Sequence, residues 1–245
     1  MRERVNTIIG KNPVILVAPH GADDTNTSII ATYAAKILNC YAVINNGFER
    51  ADFVDETKDK ADCNRVSHCK SDIVFEEFLK PILKFKNNIL NSNKFLIYKN
   101  KNVVNIFYIH GCGDAIHKNA GTKVSIVVGY GLGTKKDSLT CELWRKNLFL
   151  KEYSKKLSEV SYESAKGIVL EGKGGGQYAG RDSDNLNQYF RKHDMDLRVK
   201  SMQLEFPFSC RKTKINSSET GHLLGMVIKD YINNDSVFDS DEDYV

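Results

Sequence analysis

The stretch that decides the fold is VILVAPHGADDTNTSII, residues 14–30. Its first five residues are all apolar, and an uninterrupted apolar run of this length is typical of a strand that is buried on both faces. A Pro-His-Gly turn follows, and an apolar helical stripe then begins, formed by Ile29, Ile30, Tyr33, Ala34 and Ile37. A buried strand that leads into an amphipathic helix predicts an α/β protein.

Further strands and helices are expected along the chain. The strands are predicted at residues 40–46, 105–111, 123–131, 167–172 and 199–208. The helices are predicted at residues 26–38, 72–85, 138–157 and 216–232. Pro81 should disturb the second helix, and Asn216 with Glu219 is spaced as a capping box for the last. The alternation predicts a mixed, mostly parallel sheet flanked by helices, in a single domain of residues 1–234 with an acidic flexible tail, residues 235–245.

Composition argues against several classes of protein. The chain is 41% hydrophobic and 27% charged, and its formal net charge of +4 is too small to indicate a nucleic-acid partner. No apolar run approaches the ~20 residues of a membrane span, and the N-terminus lacks the apolar core of a signal peptide. The six cysteines form no CxxC pair. We expect a cytoplasmic protein with reduced thiols and no membrane partner, and the sequence leaves its oligomeric state open.

The end of the first strand carries a candidate metal site. His20 is followed three and four residues later by Asp23 and Asp24, and His110 ends another apolar strand. Catalytic zinc sites commonly use three protein ligands of these types and leave one position for water. His110 is a natural third ligand beside His20 and one of the aspartates. Alternatively, the aspartates only turn the chain and cap the next helix.

Glu205 is a carboxylate within the largely apolar strand MQLEFPF, residues 202–208. Strand alternation places it on the same side as Gln203 and opposite Met202, Leu204 and Phe206. If that side faces a crevice, burial raises the pKa of the carboxyl and suits it to general acid/base chemistry. If that side faces bulk water, Glu205 forms a salt contact with Arg198 or Arg211 instead.

Two arginines are candidates for holding an acidic substrate, since a guanidinium pairs with a carboxylate through two parallel hydrogen bonds. Arg65 follows Asn64 in DCNR, and Arg181 lies in the loop YAGRDSDN. A solvated surface position is the alternative for each of them. The glycine-rich loop before Arg181 lacks both the P-loop ending and the dinucleotide fingerprint. Cys112, two residues after His110, is a weaker candidate nucleophile.

Four segments occur in an order that resembles the N-formylglutamate amidohydrolase family. They are PHGADDTNTSIIA, ADCNR, FYIHG and MQLEF. The same set is similar to the wider zinc carboxypeptidase-like hydrolases, which include aspartoacylase, succinylglutamate desuccinylase and phage poly-γ-glutamate hydrolase. The resemblance runs from about residue 13 to residue 211 and implies a zinc carboxypeptidase/phosphorylase-hydrolase-like fold.

The resemblance also implies a role for each candidate residue. His20 and His110 match the metal histidines, Glu205 the catalytic glutamate, and Asn64 and Arg65 the substrate-binding pair, whereas Arg181 is a weaker match to a carboxylate-binding arginine. Asp23 stands where aspartoacylase-like members carry glutamate, and Asp24 aligns better with poly-γ-glutamate hydrolase, so the choice between them stays open.

The function implied is zinc-dependent hydrolysis of an amide C–N bond in an N-acylated acidic amino acid or a similar carboxylate substrate. Glu205 would move the water proton, and Arg65, with Arg181, would hold a substrate carboxylate. Two alternatives remain at this point. One is a zinc peptidase acting on poly-γ-glutamate or cell-wall peptide, and the other is a non-catalytic binding module on the same fold.

Overall fold

The computed structural model describes residues 3–92, 103–132, 139–172 and 178–234. Within these ranges seven strands form one sheet. The strands are β1 (Val5–Ile8), β2 (Asn12–Ala18), β3 (Cys40–Asn45), β4 (Val104–Cys112), β5 (Val124–Gly129), β6 (Ile168–Glu171) and β7 (Val199–Pro207). The predicted acidic tail, residues 235–245, and residues 173–177 of the glycine-rich loop lie outside the described residues.

Seven α-helical segments accompany the sheet in the described ranges. They are α1 (Thr27–Leu38), α2 (Asp72–Val74), α3 (Lys80–Leu90), α4 (Ala115–Ala120), α5 (Leu143–Glu159), α6 (Tyr189–Lys192) and α7 (Lys214–Asn234). A π-helical turn, Phe75–Leu79, joins α2 to α3 directly before Pro81, which is the disturbance that the proline predicted. None of the helices in the described ranges has the length and apolar character that a membrane crossing requires.

The sheet is mixed and mostly parallel, as predicted. Its strand order is β1-β3-β2-β4-β7-β5-β6. Strands β3, β2, β4 and β7 run parallel to one another, whereas β1 is antiparallel to β3 and β5 is antiparallel to β7. The carboxyl ends of β2, β4 and β7 therefore share one edge of the sheet, which is where open α/β sheets bind their ligands.

Both faces of the sheet are covered by helices, which confirms the expectation from the continuous apolar strands. On one face, Leu16 and Leu204 belong to a buried cluster that includes residues of α1, α5 and α7. On the other face, Ile15 and Tyr108 belong to a cluster with residues of α3 and the π-helical turn. Successive residues of β2 thus enter different cores, as the alternation of side chains along a strand requires.

The predicted apolar stripe of α1 is partly wrong. Tyr33 and Ile37 are each 42% exposed, and the buried face is instead built largely from small residues. The buried residues of this helix are Thr27, Ile30, Ala31, Ala34, Ala35 and Leu38. Small side chains allow α1 to lie close to its neighbours, so the contact face does not coincide with the most hydrophobic face.

The predicted capping box of the last helix is also wrong, because α7 begins at Lys214. Thr213 Oγ1 accepts a hydrogen bond from the main-chain N–H of Asn216 at 3.1 Å, and Asn216 Oδ1 accepts from that of Thr213 at 3.2 Å. The reciprocal pair therefore starts three residues earlier than predicted. Glu219 has a different role, since its Oε2 accepts from Ser164 Oγ at 2.6 Å.

Candidate metal centre and active site

Three neighbouring strands bring candidate side chains to one edge of the sheet. His20 lies just beyond the end of β2, His110 near the end of β4, and Glu205 near the end of β7. His110 and Glu205 are register partners on parallel strands. Because β4 lies between β2 and β7, the three residues occupy neighbouring positions along this edge of the sheet.

His20, Asp24 and His110 form a compact group of possible metal ligands. One ligand atom from each lies within 4.8 Å of the others. Nδ1 of His110 is 3.3 Å from Nδ1 of His20, and Nδ1 of His20 is 3.5 Å from Oδ2 of Asp24. Both histidines are buried, and only 11% of the Asp24 side chain is exposed. The three side chains therefore converge in a largely buried cluster.

Two of the three separations between these atoms fit a tetrahedral zinc ion. Tetrahedral zinc holds nitrogen and oxygen ligands at about 2.0–2.2 Å, which separates any two of them by about 3.3–3.5 Å. The two separations through Nδ1 of His20 are 3.3 and 3.5 Å. Two imidazoles and one carboxylate, with a fourth position left for water, are also a donor set that catalytic zinc uses.

Asp62 orients His20, and sequence reasoning missed it. Its Oδ1 lies 2.7 Å from Nε2 of His20. A proton on Nε2 donates to this carboxylate and leaves the Nδ1 lone pair directed at the ligand group, which is how outer carboxylates prepare metal-binding histidines. Burial alone would lower the pKa of His20, but the carboxylates of Asp24 and Asp62 outweigh burial and raise it. The signal was the aspartate that opens DCNR.

Asp24 is held by two donors. The main-chain N–H of Gly111 donates to Oδ2 at 3.0 Å, and Arg50 Nη2 donates to Oδ1 at 2.7 Å. Burial opposes ionisation of Asp24, but its contact with His20 and these two donors hold the pKa of the carboxyl well below its usual range. Arg50 was not among the predicted site residues.

Asp23 lies apart from the ligand group. Its side chain is exposed, and Oδ2 accepts a hydrogen bond from the main-chain N–H of Arg50 at 2.8 Å. Of the two aspartates that the sequence left open, Asp24 is the one that the structure places with the histidines.

His110 is a buried imidazole at the centre of the group. Burial lowers its pKa to about 3, so that it is neutral at physiological pH. A histidine must be neutral to bind a metal ion, and the burial of this side chain already favours that form.

Glu205 is buried, with 6% of the residue exposed. Burial raises the pKa of its carboxyl to about 7, although Gln203 Nε2 donates to Oε1 at 2.7 Å and opposes that shift. Arg198 instead pairs with Asp196. The side of β7 that carries Glu205 is therefore buried on the side of the sheet that carries His110, and does not face bulk water.

Asn64 and Arg65 lie beside Asp62 on the same loop. Arg65 Nη2 is 3.1 Å from Asp52 Oδ1, its Nε is 3.5 Å from Asp62 Oδ2, and 43% of its side chain is exposed. Asn64 Oδ1 is buried and has no hydrogen-bond partner among the described residues. The structure thus places a half-exposed cation and an unused acceptor next to the carboxylate that orients His20.

Arg181 follows Gly180, which has a positive φ of 63°. A Cβ at Gly180 would lie 2.6 Å from Asn187 Nδ2 and 3.2 Å from Gln203 Oε1, so this loop packs against the interior near Glu205. Arg181 is half-buried and forms no hydrogen bond or ion pair with the described part of the chain. Its main chain therefore follows a residue that packs against Gln203, on the side of the site that carries Glu205.

Arg211 ties the turn after β2 to the ends of β4 and β7. Its guanidinium donates to main-chain carbonyls of Thr25 at 2.8 Å, Phe206 at 3.1 Å and Cys112 at 3.2 Å. Each carbonyl lies within two residues of Asp24, Glu205 or His110. A Cβ at Gly111 would overlap this guanidinium, so any side chain at position 111 would displace Arg211.

Cys112 has none of the properties of a reactive nucleophile. Burial raises the pKa of its thiol to about 12, so it stays protonated. All six cysteines are free and buried.

Comparison with known proteins supports the fold. No family model matches the chain, and no curated protein sequence matches it either. Two solved structures are similar over nearly the whole chain. An Agrobacterium tumefaciens gene product is 12% identical with a TM-score of 0.55, covering 95% of this chain and 96% of that one. N-formylglutamate amidohydrolase from Ralstonia eutropha is 11% identical with a TM-score of 0.53, covering 95% and 99%.

The chain therefore has a mixed α/β fold similar to that of N-formylglutamate amidohydrolase, and the resemblance that the sequence motifs indicated is confirmed at the level of the fold. A bacteriophage poly-γ-glutamate hydrolase also matches, at 15% identity and a TM-score of 0.47 over 97% of this chain and 90% of that one. At these identities the likeness shows the fold, and the activity must be argued from the site.

Proposed function

We propose that the chain is a zinc-dependent amidohydrolase that cleaves the amide C–N bond of an N-acylated acidic amino acid or a similar carboxylate substrate. The observation that carries this proposal is the convergence of His20, Asp24 and His110 in a crevice whose adjoining strand presents the buried Glu205. Three ligands beside a separate carboxylate of raised pKa are the components that metal-assisted hydrolysis requires.

When bound by His20, Asp24 and His110, zinc would supply Lewis-acid polarisation of the scissile carbonyl and a water of lowered pKa. Glu205 accepts the proton of the attacking water as the new C–O bond forms. Its Oε1 is occupied by Gln203, which leaves Oε2 for this task. Glu205 then returns the proton to the leaving nitrogen as the C–N bond breaks. Glu205 therefore ends the cycle in the protonation state in which it began.

Positive charge around the crevice supports a carboxylate substrate. Arg65 lies on one side with 43% of its side chain exposed, and Arg181 follows the loop that packs on the Glu205 side. A planar guanidinium recognises a carboxylate through two parallel hydrogen bonds. Asn64 Oδ1, buried without a partner among the described residues, would accept from an N–H of the substrate.

The first test is the metal content of purified protein by mass spectrometry. We expect about one zinc per chain in the wild type, and losses of zinc in His110→Ala and Asp24→Asn. Asp23→Asn is the matched control, because an asparagine there still accepts from the Arg50 N–H. Absence of bound metal after incubation with zinc would favour the non-catalytic binding module.

The second test is hydrolysis of N-formyl-L-glutamate, N-acetyl-L-glutamate and poly-γ-glutamate by the zinc-loaded protein. We expect cleavage of the small acidic amides, no cleavage of N-acetyl-L-lysine, and no activity in Glu205→Gln. Arg65→Ala should raise KM more than it lowers kcat, since Arg65 binds without reacting. Cleavage of the polymer alone would instead favour the peptidase.

A further inference from the structure

Gln203 lies directly behind Glu205 and is as deeply buried. The two residues are two positions apart on β7, so their side chains project from the same face of the strand. Gln203 is 3% exposed, and its Nε2 donates to Glu205 Oε1 at 2.7 Å. A polar side chain buried this deeply is costly unless its groups are satisfied, so its partners are informative.

The direction of the Gln203 amide follows from a main-chain donor. Asn185 Oδ1 accepts from the main-chain N–H of Asn187 at 2.8 Å, and that N–H can only donate. Asn185 Nδ2 must therefore face Gln203, where it donates to Oε1 at 3.0 Å. Gln203 is left with its Nε2 toward Glu205. The three side chains form one directed chain, from Asn187 N–H through Asn185 and Gln203 to Glu205.

Residues 184–186, which include Asn185, also form hydrogen bonds with the loop that carries Asn64 and Arg65. The main-chain N–H of Leu186 donates to the Asn64 carbonyl at 2.8 Å, and Asn185 forms an isolated bridge with Arg65. Asp184 also accepts from the main-chain N–H of Ser67 at 2.7 Å and from its Oγ at 2.6 Å. Asn185 thus joins the loop that carries the proposed substrate-binding residues to the carboxylate of Glu205.

We propose that Gln203 is a positioning residue for Glu205, and that Asn185 sets its direction. Gln203 holds Oε1 so that Oε2 faces the crevice, and the donor direction fixed at Asn185 prevents the amide from turning its oxygen toward the carboxylate. The catalytic part of this inference rests on the proposed function. The hydrogen bonds that link Asn185, Gln203 and Glu205 are observed independently of it.

Asn185→Asp is the sharpest variant. The introduced carboxylate keeps the acceptor for Asn187 N–H and loses only the donor toward Gln203, so the helical turn that it caps is retained. The Gln203 amide must then turn to donate to that carboxylate, which places its Oε1 against Glu205. Asn216→Asp is the matched control, because Asn216 Oδ1 acts only as an acceptor in the cap of α7.

The first readout is independent of activity. In zinc-loaded, 15N-labelled protein, the Gln203 side-chain amide is identified by its loss in Gln203→Leu. We expect one of its protons downfield of exposed glutamine amides and protected from exchange with water. In Asn185→Asp this proton should move to a new chemical shift, because the amide then donates to the carboxylate of residue 185 and no longer to Glu205, whereas Asn216→Asp should leave the resonance unchanged. The proposal is overturned, whatever the activity, if the Gln203 amide exchanges freely with water in the wild type or if its chemical shift is unchanged in Asn185→Asp.

The second readout is kinetic. A misdirected general base slows the chemical step, so we expect kcat to fall about 10- to 100-fold in Gln203→Leu and Asn185→Asp, with KM and zinc content close to those of the wild type. The double variant should be no slower than Gln203→Leu, because both changes break one chain. Additive losses, or a change confined to KM, would show a general structural role and overturn the positioning role.

The two readouts separate the inference from the function. If the wild type hydrolyses no amide while the Gln203 resonance responds as expected, the proposed function fails and the carboxylate-orienting chain stands. If the wild type is active and neither variant slows it, the positioning role fails and the proposed function stands.

Discussion

At the residue scale, Glu205 combines burial with an ionisable group, and its protonation affects stability. Its pKa in the fold is about 7, above the ordinary 4.5. A raised pKa means that the folded state binds the proton more tightly than the unfolded state does. The resulting stability is fully present below the unfolded pKa and is lost as the pH rises through about 7.

We therefore predict that Glu205→Gln abolishes turnover and yet stabilises the metal-free protein at pH 8. Glutamine removes the cost of a buried charge, and its oxygen still accepts from Gln203 Nε2. The gain should be on the order of 2–3 kcal/mol at pH 8 and close to zero at pH 4, measured by urea unfolding.

Glu171→Gln is the control for that measurement. Glu171 Oε1 is paired with Lys146 Nζ at 2.9 Å, and Lys146 is buried. Removing the carboxylate leaves that cation without its partner, so this variant should lose stability at pH 8. A gain in both variants would mean that the effect at residue 205 is not one of buried charge.

What the sequence predicts about single residues depends on how local their roles are. Glu205 could be assigned to the Gln203 side of its strand, because alternation is a property of neighbouring residues. Asp62 could not be assigned, because its partner His20 is 42 positions away. Asp23 and Asp24 are both at plausible spacing from His20, and only the fold of the turn separates them.

At the element scale, α1 and α7 cross at close range through glycines. A Cβ at Gly221 would lie 2.7 Å from the Ile30 carbonyl and 2.8 Å from Tyr33 Cβ, and a Cβ at Gly225 would lie 2.8 Å from Ile37 Cβ. These contacts are shorter than packed side chains allow, so the helices must separate if either glycine gains a side chain.

We predict that Gly221→Ala destabilises the protein by about 1–3 kcal/mol, although alanine favours helix by about 1 kcal/mol over glycine. The main-chain carbonyl of Ile30 cannot move aside as a flexible side chain can. Thermal unfolding gives the measurement, and Lys229→Ala, at an exposed position of the same helix, should be near neutral. A stabilised Gly221→Ala would show that helix propensity outweighs the contact.

The elements that sequence reasoning missed have weak local signals. β1 is only four residues long, VNTI, and exists by pairing with β3 at the edge of the sheet. The start of α7 was placed late because Asn216 resembles a cap, whereas Thr213 performs that role. Strong apolar runs, by contrast, located the other six strands.

At the scale of the whole molecule, the proposed metal ligands join two strands of the sheet. His20 and Asp24 follow β2, and His110 belongs to β4. A ligand that binds only the folded state stabilises it in proportion to the logarithm of its concentration relative to Kd. Zinc at about 1,000 times Kd should therefore add about 4 kcal/mol.

We predict that zinc raises the Tm of metal-free wild type and of Asp23→Asn, and that it leaves Asp24→Asn and His110→Ala nearly unchanged. Differential scanning calorimetry with and without EDTA measures both states. Equal shifts in all four proteins would place the metal elsewhere.

The fold class was accessible from the sequence because alternating strands and helices admit few layered arrangements. The strand order was not. β7 is the last strand in the chain and yet lies between β4 and β5, a position set by long-range pairing. The continuous apolar runs predicted that helices cover both faces of the sheet. No local sequence pattern predicted that β5 and β6 run in the reverse direction.

The three hydrogen bonds of Arg211 to main-chain carbonyls affect which substitutions this chain can tolerate. The three acceptors are main-chain carbonyls, which every residue type provides, so the hydrogen bonds to Arg211 place no demand on the side chains of Thr25 and Cys112. Arg211 has no substitute, because lysine lacks the planar fork that reaches three directions, and Gly111 admits no side chain beneath it. A saturation-mutagenesis library should thus show Arg211 and Gly111 as invariant positions and the exposed Thr25 as a permissive one.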